Sequence, residues 1–436
     1  MREMKDSGVE WIGEIPKNWK VERLRYIIKD YKSGPFGSAL KMDGLLPDGN
    51  ILIYSPEHIT LHSSDSDKNL YLPDEMEEEM SQFIVKENDI LFPIVGSLGK
   101  AMIITADMPK GIINQRVAKF QIDNTIVDQD YFMWLFAKSN FYQPYIDLSC
   151  RGSFIVNLTK AIINDMPCVI QPLAIQKKIS TYLDVKCSKI DEVIEKQQAI
   201  IEKLKEYKLS VIIETVTKGL NPNVEMKDSG VEWIGQMPTS WDCTTVGRIA
   251  TVVRGASPRP AGDPLYFNGN DVPWITVAEV TKGDGKYIDG TETFLTFEGA
   301  KQSRIVEEGT LLLSNSGATL GVPKITRIRG CINDGSVAFY NLSINQEFLL
   351  YLFKGRTFEL RKQMQGYGQP NLNTTIVKGI EVTLPTELEQ KLIVDFLDQK
   401  CTAIEKTIED REKAIDKLQE YKKSLIYEVV TGKKEV

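Results

Sequence analysis

The stretch QKKISTYLDVKCSKIDEVIEKQQAIIEKLKEYKLSVIIE, from Gln176 to Glu214, organises the whole chain because it predicts a long helix and occurs twice. The second copy, QKLIVDFLDQKCTAIEKTIEDREKAIDKLQEYKKSLIYE, runs from Gln390 to Glu428 in register at an offset of 214 residues. Apolar side chains recur in each copy at the alternating spacing of a coiled-coil seam. The predicted helix–helix seam consists of Leu183, Cys187, Ile190, Ile194, Ile201 and Leu204 with Leu397, Cys401, Ile404, Ile408, Ile415 and Leu418.

Neither helix is expected to be stable alone. Its apolar residues occupy only two positions in seven, and this narrow stripe stays exposed to solvent unless a partner covers it. The two copies are therefore each other's expected partner. Each helix follows a body of similar length, so an antiparallel arrangement would put the two bodies at opposite ends. Gln197 and Arg411 interrupt the two seams at matching positions. They are either a device that sets the register or polar residues tolerated near solvent.

The composition is that of a globular protein, with 42% hydrophobic and 26% charged residues in a chain of 436, long enough for two domains or more. The net charge of -7 argues against wholesale nucleic-acid binding but leaves a local basic face possible.

No apolar run approaches a membrane span and the first residues are too polar for a secretory signal, so a cytoplasmic location is expected. Six scattered cysteines favour reduced thiols over disulfides or zinc ligands.

A second repeat shows that the whole chain is a tandem duplication, because MKDSGVEWIG at Met4–Gly13 returns unchanged at Met226–Gly235. A period this long indicates two domains rather than a solenoid. The predicted fold class is α+β, with two similar α/β domains separated by two long antiparallel helices that form an intramolecular coiled coil, in a pseudo-two-fold tandem repeat. The predicted boundaries are a first domain at 1–170, a first spacer helix at 171–220, a second domain at 221–384 and a second spacer helix at 385–436.

Both domains open with two tryptophans around a proline, which we expect to fasten the first segment of each domain onto its body. The pairs are Trp11 with Trp19 and Trp233 with Trp241. Short apolar runs broken by Gly, Pro, Asn and Asp then predict short strands joined by long loops. Those strands are predicted at Ile51–Tyr54, Ile90–Phe92, Trp274–Val277 and Leu311–Leu313, and short core helices at Tyr131–Phe136 and Phe348–Phe353.

Three segments of the sequence partly match known catalytic or ligand-binding motifs, but each lacks residues that the motif requires. Asp263–Tyr266 reads D-P-L-Y, which lacks the second proline of an amino-methyltransferase D-P-P-Y motif and has no cofactor loop upstream. Gly96–Ala101 lacks the first glycine and the hydroxyl residue of a phosphate loop. His58 and His62 are four residues apart without the glutamate of a zinc protease, and they are the only histidines. We therefore expect no metal site and no catalysis by the chain itself.

Small, polar and basic residues accumulate instead on glycine- and proline-punctuated loops at matching places in the two halves. Glycine permits close backbone approach to phosphate, and Arg, Asn, Gln and Ser supply donors that distinguish base edges. For any single loop a solvated turn is the alternative. The predicted DNA-binding residues are Ser33, Phe36, Ser38, Lys41, Ser97, Lys100, Gln115, Arg116 and Arg151 in the first half, and Arg254, Ser257, Arg259, Asn315, Ser316, Lys324, Arg327, Asn333, Tyr367 and Gln369 in the second.

Three motifs together resemble the specificity subunit of type I restriction-modification systems over essentially the full length. They are W-I-G-x-x-P-x-x-W at the start of each half, the strand and G-S-L-G of Val85–Gly99, and P-L-A-I-Q-K-K-I before a long helix ending in E-Y-K. The resemblance implies two target-recognition domains that each read one half of an interrupted DNA site. It also implies two methyltransferase subunits docked on the helices and motor-nuclease subunits in the full complex. S-adenosylmethionine and ATP with Mg would then belong to those partners.

The helix length gives a crude estimate of the spacing between the half-sites. Leu183 to Val211 is about 28 residues and about 42 Å of helix. This corresponds to about 12 base pairs, and subtracting the half-sites leaves an unread gap of about 6 to 9 base pairs. Two alternatives stay open: a scaffold that binds only proteins, and a fused restriction component, which would need catalytic motifs that the sequence lacks.

Overall fold

The computed structural model describes residues 2–35, 40, 44–64, 68–96, 99–149, 157–317, 319–363 and 372–436. Predicted DNA-binding residues outside this description are Phe36, Ser38, Lys41, Ser97, Arg151, Tyr367 and Gln369. The chain forms two compact units. The first contains Met1–Lys196 with Lys413–Val436, and the second contains Gln197–Glu412.

Among the described residues, helices run at α1 (Pro56–Leu61), α2 (Gln129–Phe136), α3 (Gln143–Ser149), α4 (Lys160–Asp165), α5 (Leu173–Lys218), α6 (Val246–Ile249), α7 (Val277–Thr281), α8 (Phe297–Gln302), α9 (Gln346–Gln363), α10 (Thr374–Gly379) and α11 (Glu387–Val430). The long helices α5 and α11 each contribute one half to each unit. None of the described helices combines the length and apolar character that crossing a membrane requires.

The described strands of the first unit are β1 (Met4–Asp6), β2 (Glu14–Pro16), β3 (Lys20–Arg23), β4 (Ile28–Ser33), β5 (Ile51–Tyr54), β6 (Tyr71–Leu72), β7 (Ile90–Pro93), β8 (Met102–Ile103), β9 (Gly111–Ile113), β10 (Val117–Ile122) and β11 (Pro167–Ile170). They form an antiparallel sheet in the order β4-β10-β7-β8, a sheet in the order β6-β5-β9 in which β5 and β9 are parallel, and the pairs β1-β2 and β3-β11.

The described strands of the second unit are β12 (Met226–Asp228), β13 (Gln236–Pro238), β14 (Asp242–Thr245), β15 (Thr251–Arg254), β16 (Phe267–Ile275), β17 (Tyr287–Ile288), β18 (Phe294–Leu295), β19 (Arg304–Val306), β20 (Leu311–Ser314), β21 (Pro323–Thr326), β22 (Gly330–Ile332), β23 (Ser336–Tyr340) and β24 (Glu381–Leu384). Their sheets run β15-β23-β20-β21-β17 and β18-β16-β22-β19, with the pairs β12-β13 and β14-β24. The arrangement repeats that of the first unit.

Most local predictions are confirmed by these elements. The strands β5, β7 and β20 lie where the apolar runs predict them, and α2 and α9 contain the two predicted core helices. The prediction for Trp274–Val277 is wrong at its end, because β16 stops at Ile275 and Val277 opens α7. Thr276 and Glu279 form a capping box there, with Thr276 N donating to Glu279 Oε2 over 2.9 Å. The capping bonds compete with continuation of the strand.

The tryptophan at the end of each opening segment packs on the glycine that follows a long helix. Trp19 and Trp241 are buried, at 3% and 1% exposure. Gly219, after α5, has φ +75°, and an added Cβ would lie 3.0 Å from Trp241 Cζ2. Gly432, after α11, has φ +73°, and an added Cβ would lie 2.8 Å from Trp19 Cη2. Each opening segment is thus fastened to a helix end, a more specific partner than the domain body that the sequence predicts.

The long helices begin at equivalent positions, 214 residues apart, although the linker from Pro385 to Gln390 is one residue longer than the linker from Pro172 to Gln176. A buried glutamine in the first turn of each helix makes the same contacts. Gln176 Oε1 accepts a 2.7 Å hydrogen bond from Asp128 N, before α2, and Gln390 Oε1 accepts one of 2.7 Å from Asn345 N, before α9. Each glutamine Nε2 also donates to the carbonyl five residues earlier. These bonds hold each long helix against its domain.

The long helices run antiparallel within each unit. In the second unit Gln197 contacts Arg411 and Lys208 contacts Glu405, so the numbers rise along α5 as they fall along α11. All the predicted seam residues are buried or half-buried, at positions where most of their neighbours are exposed. The fold class is confirmed: two similar mixed domains and a pair of long antiparallel helices in a tandem repeat.

Candidate nucleic-acid interface

Backbone hydrogen bonds bring the glycine-containing loops of the first unit together. Gly34 N donates to Val117 O, Ile94 N donates to Arg116 O, and Leu158 N donates to Ile94 O, each over 2.9 Å. We call the group formed by Ser33–Gly34, Ile94–Gly96, Asn114–Arg116 and Asn157–Leu158 the first loop cluster. Segments up to 125 residues apart in sequence therefore meet at one end of the β4-β10-β7-β8 sheet.

The second unit repeats this framework bond for bond. Gly255 N donates to Ser336 O over 2.9 Å, Asn315 N donates to Gly335 O over 2.9 Å, and Leu372 N donates to Asn315 O over 2.7 Å. We call the group formed by Arg254–Ser257, Asn315–Ser316, Asn333–Ser336 and Leu372 the second loop cluster. The loops that the sequence aligns between the halves occupy equivalent places in the two units.

A glycine at the same place in each cluster permits the closest backbone approach. A Cβ on Gly34 would lie 1.8 Å from Asn114 O, and a Cβ on Gly255 would lie 2.1 Å from Asn333 O. Neither distance is possible for a side-chain carbon, so both positions require glycine. The cluster framework therefore depends on these two residues.

The first loop cluster and its neighbour Lys100 present donors to solvent. Lys100, Gln115 and Arg116 are exposed, and Ser33 is half-buried. Asn114 Oδ1 accepts a 2.9 Å hydrogen bond from Arg116 N, which fixes the turn that carries Gln115 and Arg116. The amide and guanidinium side chains are thus held on a rigid turn with their polar ends in water.

In the second loop cluster, Asp334 organises the basic side chains. Arg254 Nε donates to Asp334 O over 2.8 Å, and Ser257 Oγ donates to Asp334 Oδ1 over 2.6 Å. Arg259 Nη2 lies 3.7 Å from Asp334 Oδ2 and its side chain is 72% exposed. Asp334 is not among the residues predicted from the sequence, although the N-D-G-S turn that contains it is a local signal. Asp334 orients two arginines toward the same surface.

Polar side chains also lie beneath the second loop cluster. Asn315 is fully buried, and among the described residues neither its amide nitrogen nor its amide oxygen has a hydrogen-bond partner. Ser336 Oγ and Asn333 Oδ1 are likewise buried without a partner in the part of the chain that the structure describes. The equivalent positions of the first unit hold apolar Ile94 and Val117 at two of these three places. The structure therefore places Asn315 under the surface of the cluster, while Ser316 and Asn333 are half-buried.

Two predicted residues lie away from the second loop cluster. Lys324 is 2% exposed and its Nζ donates to Lys282 O over 3.0 Å. Burial lowers the pKa of Lys324. Arg327 lies 3.7 Å from the centre of the Tyr287 ring and pairs with Asp289 over 3.0 Å. The structure does not bring these two cations to the surface that Arg254 and Arg259 share.

His58, one of the two histidines, is held by hydrogen bonds inside the first unit. His58 is buried, its Nδ1 accepts a 3.0 Å hydrogen bond from Ser55 N at the start of α1, and its Nε2 lies 2.9 Å from Asn69 Oδ1. Both ring nitrogens are therefore engaged. Within the part of the chain that the structure describes, no group of three His, Cys, Asp or Glu residues is arranged to hold a metal ion.

The chain thus contains one domain twice, with equivalent loop frameworks that carry different side chains, and a pair of long helices. This combination is typical of a protein that has one recognition surface on each domain. The chain belongs to the type I restriction modification DNA specificity domain family, which matches residues 16–206 and 238–412. Among curated proteins it is similar to the type I restriction enzyme MjaVIII specificity subunit of Methanocaldococcus jannaschii, with 24% identity over 431 residues, 96% of this chain and 93% of that protein. The StySPI specificity subunit of Salmonella potsdam is 24% identical over 61% of this chain and 57% of its own length.

Solved structures show the same fold. A chain solved in a study of complex assembly and conformational transition of the type I R-M system matches with a TM-score of 0.73 at 16% identity, over 95% of this chain and 98% of that one. The HsdS subunit from Thermoanaerobacter tengcongensis matches with a TM-score of 0.52 at 17% identity, over 96% of this chain and 98% of that one.

Proposed function

We propose that this chain is the DNA-reading subunit of a type I restriction-modification complex, with each unit reading one half of an interrupted site. The observation that carries the proposal is the pair of loop clusters. They share backbone hydrogen bonds at equivalent positions, yet the side chains that they present differ between the units. The same backbone framework with different loop side chains is the arrangement expected of a protein that reads two different half-sites.

The exposed side chains of each cluster match the chemistry of base and phosphate recognition. Gln115 and Arg116 in the first unit, and Arg254 and Arg259 in the second, carry donors of the kinds that read adenine and guanine edges in the major groove. Lys100 and the backbone amides near the cluster glycines suit phosphate contacts, which set position rather than sequence. The net charge of -7 is compatible with this, because a local basic face can exist on a chain whose total charge is negative.

We further propose that the long helices dock two methyltransferase subunits, with motor-nuclease subunits added in the full complex. Exposed apolar residues on these helices suit such docking: Val185 and Val193 on α5, and Leu388 and Leu392 on α11. S-adenosylmethionine and ATP with Mg would then bind the partners. The chain itself would supply recognition and assembly, without catalysis.

The decisive experiment maps methylated bases in the genome of cells that express this chain with its methyltransferase partner. We expect an asymmetric motif of two short half-sites separated by an unread gap of fixed length. Replacing the second loop cluster with that of another specificity subunit should change one half-site and leave the other intact. Absence of any motif, with the complex still assembled, would favour a scaffold that binds only proteins.

A further inference from the structure

A cavity of about 490 Å³ lies in the second unit, where the C-terminal half of α5 faces the second domain. Its volume is within the range of about 300 to 1,000 Å³ that small-molecule sites occupy. Lys205 and Lys208 of α5 line it together with Lys324 of β21 and Lys354 of α9. Four lysines thus line one space. Leu209 and Ile212 form an apolar wall beside them.

The four lysines differ in their partners. Lys205 Nζ donates to Glu202 Oε1 over 2.9 Å, and Lys208 also has a carboxylate partner, whereas Lys324 and Lys354 bond to backbone carbonyls. Lys324 Nζ donates to Lys282 O over 3.0 Å and Lys354 Nζ donates to Asp284 O over 3.0 Å, so both bonds end on backbone carbonyls. Lys208 donates to Glu405 Oε1 over 2.8 Å and is 3.9 Å from the carboxylate of Asp284.

Burial, together with the charge of Lys208, lowers the pKa of Lys354 to about 8. Burial likewise lowers the pKa of Lys324. Buried cations in this state are destabilising unless an anion joins them.

The equivalent cavity of the first unit has a different chemistry. It measures about 450 Å³, and α11 lines it with Gln419, Lys422, Lys423 and Ile426, which stand 214 residues after Lys205, Lys208, Leu209 and Ile212. Its other lysine, Lys138, pairs with Asp184 over 3.0 Å. Lys422 bonds to both carboxylate oxygens of Asp191 over 2.6 Å. Two of its three lysines therefore pair with carboxylates, as Lys205 and Lys208 do in the second unit. The second cavity differs because it also holds Lys324 and Lys354, which bond to backbone carbonyls.

We propose that the lysine-lined cavity of the second unit binds a phosphate-type polyanion. The recognition would combine the ammonium groups of Lys208, Lys324 and Lys354 with Lys205 at the exposed entrance. The anion can come from a free organic phosphate or from the DNA backbone. The inference goes beyond the proposed function, because base reading by the loop clusters does not require it.

The first test titrates pyrophosphate into the full-length protein by calorimetry. We expect one site in the wild-type chain and affinity at least tenfold weaker in Lys354→Met. The matched control is Lys203→Gln, an exposed residue of α5 that does not line the cavity, and its affinity should stay within twofold of the wild type. Absence of binding to the wild type, or equal weakening by Lys203→Gln, would overturn the proposal.

Folding and ligand source need separate measurements. Thermal unfolding shows whether each variant folds. If Lys354→Met does not fold, replacing the exposed Lys205 by Gln should still weaken pyrophosphate binding at least threefold, and unchanged affinity in Lys205→Gln would refute the site.

DNA titrations distinguish a free organic phosphate from the DNA backbone as the source of the anion. If Lys354→Met binds all DNA sequences more weakly by the same factor, and pyrophosphate competes with DNA for the wild-type protein, the site belongs to a backbone phosphate. Unchanged DNA affinity assigns it to a free anion. The pyrophosphate result stands even if the chain reads no DNA sequence.

Discussion

Arg411 donates a 2.6 Å hydrogen bond from Nη1 to Oε1 of Gln197, the residue that holds the equivalent position in the first helix copy. Both residues are half-buried and interrupt otherwise apolar seams. Arg411 Nε is buried and has no hydrogen-bond partner among the residues that the structure describes. A slip of either helix by one turn would separate the pair and leave a guanidinium against apolar side chains. The contact favours a role in setting the register over simple tolerance of polar residues near solvent.

We expect the two single replacements of this pair to destabilise and the double replacement to recover. Gln197→Leu leaves the Arg411 guanidinium without its acceptor, and Arg411→Leu leaves the Gln197 amide without its donor, each at a cost of about 1–3 kcal/mol. The double variant creates a continuous apolar seam, which is neutral or stabilising. Urea unfolding of the four proteins measures the coupling. Strictly additive effects would show that the hydrogen bond does not matter.

Gly219→Ala should destabilise the second unit, because the new methyl group meets the Trp241 ring at 3.0 Å and the backbone has φ +75°. Gly230→Ala is the matched control, since Gly230 has φ +71° and no atom within 4 Å of the added Cβ. Both variants carry the backbone strain, so the difference between their melting temperatures isolates the tryptophan contact. We expect Gly219→Ala to melt lower, and equal melting temperatures would contradict the packing argument.

Alanine at Arg254 and Arg259 should weaken recognition of one half-site by about tenfold or more, as expected for about 1–3 kcal/mol per lost base contact. The other half-site should keep its sequence preference. Lys301→Ala is the control, because Lys301 is exposed in the same unit and pairs with Glu298 outside the cluster. The readout is binding to duplexes altered in one half-site at a time. Equal losses at both half-sites would mean that the second loop cluster is not a separate reader.

Asp334→Asn should reduce half-site discrimination without removing an arginine, because Asp334 positions both Arg254 and Arg259. The asparagine keeps the backbone carbonyl that Arg254 uses but loses the charge near Arg259. We expect a loss of severalfold in the ratio of cognate to non-cognate affinity. Affinity for random duplex should stay the same or rise, since a negative charge near phosphate is removed. A parallel loss of both affinities would indicate a merely structural role.

Lys354 should make the stability of the protein depend on pH. Its pKa in the folded protein is about 8, whereas the ordinary value is 10.5. Between these values the unfolded chain binds more protons, so the free energy of unfolding should rise with pH in this window, by up to about 3 kcal/mol. The titratable groups that face Lys354 are Lys208, Lys324, Glu405 and the Cys401 thiol. Urea unfolding at pH 7 to 10.5 of wild type and Lys354→Met isolates this contribution. Identical pH profiles would show that Lys354 titrates normally.

Sequence periodicity and internal identity alone determined the duplication, the presence of two long helices and the seam residues on them. These features are local, because helical spacing and exact repetition can be read without knowing what a residue touches. The pairing of the two helices followed from two narrow stripes that each need a partner. The chemistry of the loops was also readable, since residue type alone indicates which groups can donate to phosphate or bases.

Tertiary structure alone decided which of those loop residues share a surface. Arg254 and Arg259 meet through Asp334, about 80 residues away in sequence. Lys324, which the sequence places on a loop, lies instead on strand β21 and lines a cavity beside α5 together with Lys208 and Lys354. Burial and charge at a residue depend on strands and helices that come from distant parts of the chain, and local composition carries no record of that convergence.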